Sequence, residues 1–100
     1  MKAKLTIESI KKSYKVDIVK DTYKNNGALA LIANDEEGEF CVLSTNVSGS
    51  GSLPKDQCYF KTWSENEGFL EQLEKQGLVR RVGPLMATGF VSTPLVEVLF

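Results

Sequence analysis

The chain is 100 residues long, one domain's worth of sequence, and its 42% hydrophobic and 25% charged content excludes disorder as the default. A net charge of −1 announces neither a nucleic-acid binder nor a membrane-surface protein. With no His and only two Cys, His-dependent triads, paired-His zinc motifs and four-ligand Cys/His zinc sites are excluded.

Strand patterning dominates from the start. Leu5 and Ile7 alternate with polar neighbours, and Tyr14, Val16 and Ile18 do the same after a turn region at Lys11-Lys12-Ser13. Gly27 opens the apolar run Ala28 to Ala33, which suits a central strand buried on both faces. Asn34 to Gly38 is turn chemistry, and Phe40 to Thr45 resumes as strand, so residues 28–45 are expected to form a hairpin. Asn46 to Gln57, rich in Ser, Gly and Pro, reads as a loop, and Cys58 to Lys61 as a short strand.

One helix is expected, over 65–76. Ser64-Glu65-Asn66-Glu67 has the spacing of a capping box, and Phe69, Leu70 and Leu73 form an apolar stripe. Gly77 fits the residue after the C-cap, with Leu78 placed to contact Leu73. Leu78 to Val82 and Leu85 to Ser92 read as strands punctuated by Gly83-Pro84. Leu95 to Phe100 follows as an apolar strand that pairs inside the sheet or, as a dimer edge, with a second copy. Residues 1–100 therefore predict a single α+β domain: a mainly antiparallel sheet of five to seven strands with the helix packed on one face.

Two thiols make no disulfide framework. Cys41 and Cys58 both sit in apolar surroundings and read as small buried hydrophobes. The basic N-terminus lacks the apolar stretch of a signal peptide, and no window approaches the length of a membrane span, so a cytoplasmic protein is expected.

Charge is balanced overall and segregated locally: +4 over residues 1–26, −7 over 27–74 and +2 over 75–100. Such a dipole can steer a charged partner. Asp35, Glu36, Glu37 and Glu39 lack the alternating ligand spacing of a calcium loop and read as an acidic hairpin tip, with Asp35, Glu36 and Glu37 facing a basic partner. Trp63, beside Glu65, Asn66 and Glu67, reads either as a hydrophobic staple or as a binding anchor next to an acidic helix start. Lys11, Lys12, Lys15, Lys20 and Lys24, interleaved with Tyr14 and Tyr23, form the alternative nucleic-acid surface. Strand alternation sets Tyr14 and Lys15 on opposite faces, against a joint stacking platform. The Ser-Gly-Ser-Gly-Ser loop at 48–52 runs into no helix, unlike a phosphate-binding loop, and no carboxylate pair or Ser–Lys dyad stands out for catalysis. No metal or cofactor is expected.

Several segments together resemble a family of short bacterial and phage proteins of unknown function, common on mobile elements. They are Tyr23 with Asn26 to Leu31, Asp35 with Gly38-Glu39, Leu43 to Asn46, and Leu53-Pro54. The box Ser64-Glu65-Asn66-Glu67-Gly68 with Leu70 and Leu73 follows, then Gly77-Leu78-Val79, and Thr88 to Val91 with Pro94. The Lys-rich start and the Gly/Ser insertion before Leu53 depart from that pattern. The resemblance implies a setting rather than catalytic residues. It leads to the expectation of a non-enzymatic protein–protein interaction module, an inhibitor of a bacterial defence complex in the manner of an anti-CRISPR protein. A nucleic-acid-binding accessory protein using the Lys-rich segment is the alternative.

Overall fold

Alternation of apolar and polar residues builds the first sheet of the computed structural model, which describes residues 1–24, 27–46, 53–63, 66–88 and 91–100, with backbone alone at 84–88 and 91–92. Strands β1 (Lys2–Ile7) and β2 (Lys12–Thr22) pair antiparallel, setting Ala3 opposite Val16 and Leu5 opposite Tyr14 on the inner face. The turn between them lies at residues 8–11, so Lys12 already belongs to β2 and the expected turn region shifts toward the N-terminus. Strand β3 (Leu29–Asp35) lies between β2 and β4 (Gly38–Val42), in the order β1-β2-β3-β4. Ala30, Leu31 and Ala33 are buried, as a central strand requires.

The expected hairpin holds as far as Val42. At Leu43 the chain turns, and β5 (Ser44–Thr45) enters a second sheet with β6 (Gln57–Phe60), β8 (Val91–Val98) and β7 (Val79–Thr88), in the order β5-β6-β8-β7. The mainly antiparallel α+β class is as read, with eight strands among the described residues. They form two sheets rather than one sheet of five to seven, because the run from Phe40 to Thr45 changes sheets midway. Leu43 serves both: its N–H donates to Leu31 O at 2.8 Å, and its carbonyl accepts Lys61 N–H at 2.7 Å.

Helix α1 (Phe69–Lys75) buries Phe69, Leu70 and Leu73, the stripe seen in the sequence. Its C-terminus closes as a Schellman motif: Leu78 N–H donates to Leu73 O at 3.0 Å, Gly77 N–H to Glu74 O at 3.1 Å, and Gly77 takes φ 77°. The N-terminus differs from expectation. The helix starts at Phe69, its N-cap is Gly68 at φ 85° with no side-chain cap, and Glu67 lies outside it. Left-handed backbone at Gly68 interrupts the helix where a box at Ser64 would have begun it; Ser64 and Glu65 themselves lie outside the described residues. Trp63 is therefore no staple residue. Among the described residues no helix is long and apolar enough to cross a membrane.

Strand β1 is an edge strand, and α1 covers that edge with side chains. Gln72 accepts Thr6 N–H at 2.7 Å and donates to Thr6 O at 3.0 Å. One turn later Gln76 accepts Lys4 N–H at 3.0 Å and donates to Lys4 O at 2.8 Å. A helical turn advances about 5.4 Å and two strand residues about 6.8 Å, close enough for two amides to act as a neighbouring strand.

Gly83-Pro84 does not end a strand. It lies inside β7 at a register shift between Arg81 and Leu85, and a Cβ at Gly83 would come within 2.7 Å of Leu95 Cδ2. Strand β8 lies between β6 and β7, and at Val96 and Glu97 it is paired on both sides. The expected dimer edge at the C-terminal strand is thus filled within the chain, and of the two expected fates pairing inside the sheet is the one observed.

Replacing Gln72 by Ala leaves the Thr6 peptide groups without their partner in a part-buried setting and is expected to cost about 1–3 kcal/mol. Gln76→Ala, at an exposed site, should cost roughly half as much. Urea unfolding of both variants checks the order, and equal losses would contradict it.

Candidate functional site

The acidic tip is a two-residue turn between β3 and β4, with Asp35 paired to Gly38. Asp35 Oδ1 accepts Glu37 N–H at 2.8 Å, so this carboxylate shapes the turn. Glu36, Glu37 and Glu39 are exposed and have no cation partner among the described residues. Glu39, one residue past the turn glycine, belongs to the same tip, as read from the sequence.

The second half of the predicted partner surface is only partly formed. Glu67 is exposed and Trp63 half-buried, with Lys61 Nζ 6.0 Å from its ring centroid. Asn66 is 0% exposed and cannot meet a partner protein; its Nδ2 donates to Val42 O at 2.8 Å, and its buried Oδ1 has no hydrogen-bond partner among the described residues. Glu65 lies outside the described residues. That bond sets Asn66 at the end of β4 remote from the tip. Five strand residues separate Val42 from Glu37, roughly 17 Å, so the tip and the helix start are two patches along one strand.

The five lysines of the alternative surface do not share a face. Lys12 Nζ is 5.2 Å from the Tyr14 ring, while at the far end of β2 Lys20 Nζ donates to Phe100 O at 2.6 Å. Lys12 and Lys20 are eight residues apart on β2, about 26 Å. Lys11 is in the turn and Lys24 beyond the strand. Lys15 does point outward, as alternation predicts, while Tyr14 stacks inward on Phe40 with centroids 4.8 Å apart. Strand pairing assembles a different basic group: Lys4 lies directly opposite Lys15, with Lys2 two residues along. The period-two spacing of Lys2 and Lys4 was visible in the sequence, but their approach to Lys15 depends on register.

These three lysines and Asp17, Asp35 and Glu36 line a groove of about 520 Å³. The Met1 ammonium donates to Asp17 Oδ1 at 2.6 Å and, with Lys2 nearby, holds that carboxyl below its ordinary range. No cluster of metal-ligating side chains occurs among the described residues.

Cys41 and Cys58 are free thiols and buried, as read from sequence. Burial pushes the Cys58 thiol from 9.0 up to about 12, so it is a poor nucleophile at neutral pH. Tyr23 is raised too, chiefly by burial, against the effect of its 2.8 Å hydrogen bond with Ser44. Comparison of the chain with protein-family models, curated proteins and solved structures returns no match. What the surface can do is therefore read from its own residues.

Cys58 and Tyr23 are neutral when protonated, and the folded state keeps those protons to higher pH than the unfolded chain. Their contribution to stability is complete below about pH 9 and is lost as pH rises from 9 toward 12. For Cys58 the slope approaches about 1.4 kcal/mol per pH unit. Denaturant titrations across this range should show the fall, and Cys58→Ala should flatten it; an unchanged slope in the variant would assign the fall elsewhere.

Proposed function

We propose that the chain is a small non-enzymatic protein–protein interaction module that engages a basic partner surface through the β3–β4 tip. The observation that supports this best is the exposure of Glu36, Glu37 and Glu39 without cation partners among the described residues, on a turn that Asp35 holds in shape. Unpaired charge on a fixed turn accelerates encounter with an oppositely charged surface. Trp63 and Glu67, farther along the same edge, extend the contact. The resemblance to mobile-element proteins gives this activity a setting: inhibition of a host defence complex, in the manner of an anti-CRISPR protein. Buried free thiols fit a reducing, cytoplasmic compartment.

A second reading, binding of nucleic acid, draws on the outward pair Lys4 and Lys15, like charges directly opposite each other that a phosphate would relieve. It gains no stacking platform from Tyr14, which packs inward.

The test is capture of partners from a nuclease-treated host lysate, followed by association kinetics with the purified partner. Glu37→Lys should slow association several-fold at low salt and reduce its dependence on ionic strength. Glu36→Lys should act less, because Glu36 already lines the groove with three lysines. Unchanged kinetics in both variants removes the tip from the interface. Affinity for an oligonucleotide that falls steeply with salt, and weakens in Lys15→Gln, selects the second reading.

A further inference from the structure

Val82 to Val96 contains no charged residue, in a chain that is 25% charged. Its described residues form the far half of the β7–β8 pair, where Leu85 pairs with Pro94, Met86 with Thr93, Ala87 with Ser92, and Thr88 with Val91. Among the described residues, β6 accompanies β8 at Leu95, Val96 and Glu97 alone, and beyond that point the sheet continues as two strands. Two strands alone are marginal in water, and three or more are needed for stability. Strand β7 is terminal in its sheet, so from Leu85 to Thr88 its outer edge has no strand neighbour among the described residues.

Two other stretches of strand edge are guarded. Gln72 and Gln76 bond the β1 edge. At the root of β7, Arg80 pairs with Glu97, and Arg81 with Glu71 and Glu74. Past the register shift β7 carries no charge, and Pro84, which lacks an N–H, limits the open ladder to Leu85–Thr88.

We propose that a second copy of this chain pairs antiparallel with this edge, giving a continuous β8-β7-β7-β8 sheet across a twofold axis. A twofold axis sets an edge against itself, so a charged edge would meet like charge, which is destabilising. A charge-free edge meets none, which makes a copy of this chain a better match than a basic or acidic partner. This surface is separate from the acidic tip, and each can fail without the other.

Sedimentation equilibrium of the full chain, from micromolar to near-millimolar concentration, should show a monomer–dimer equilibrium. Met86→Lys and Ala87→Lys should each weaken it about tenfold or more with an unchanged circular dichroism spectrum, while Glu37→Lys leaves it as it is. In the unmodified protein, amide exchange at residues 85–88 should slow as the dimer forms. A chain monomeric at every concentration, or a dimer in which those amides exchange as fast as in the monomer, overturns the proposal.

Discussion

One residue joins the backbones of the two sheets. The Leu43 N–H belongs to the first sheet through Leu31, and its carbonyl belongs to the second through Lys61. Burial of Leu43 makes both bonds obligatory, because an unpaired backbone group there would lose its water without replacement. The next residue reinforces the joint: Ser44 Oγ accepts Leu31 N–H at 2.9 Å and shares a 2.8 Å hydrogen bond with the Tyr23 hydroxyl. β4 and β5 are thus one continuous segment bent across two sheets, and the core that includes Leu31, Phe60, Phe69 and Val96 fills the space between them.

That bend leaves the opposite side to be closed, and α1 closes it. On one flank Gln72 and Gln76 replace a strand beside β1; on the other, Arg81 on β7 bonds Glu71 and Glu74. The circuit runs β1 to β4, through Leu43 into β5, across β6 and β8 to β7, and back through the helix. A helix of seven residues would be unstable in isolation. Here burial of Phe69, Leu70 and Leu73 and the bonds to β1 supply what its length does not.

Features set by local chemistry were legible in the sequence. Gly77 and Leu78 announced the Schellman close, and the alternation of Leu5, Tyr14, Val16 and Ile18 announced the first two strands. Features set by distant partners were not. The helix start was misplaced because Asn66 bonds Val42, distant in sequence, and Gly68 takes a left-handed conformation. Gly83-Pro84 looked like punctuation because its bulge in β7 becomes visible only beside Leu95. Gln72 and Gln76 are, in sequence, two polar residues four apart on the helix. Only the position of β1 shows them to be edge partners.

The same distinction governs the charges. In sequence the basic start and the acidic middle form two blocks of opposite sign. Antiparallel pairing folds them together, because Asp17 opposite Asn34 brings the residues before Asp17 alongside those after Asn34. Lys2, Lys4 and Lys15 thus share a groove with Asp35 and Glu36. Much of the dipole read from the linear sequence is cancelled there. The field left for a partner comes from carboxylates beyond the groove, on Glu37, Glu39 and Glu67, so the register of β2 on β3 determines which acids can act at a distance.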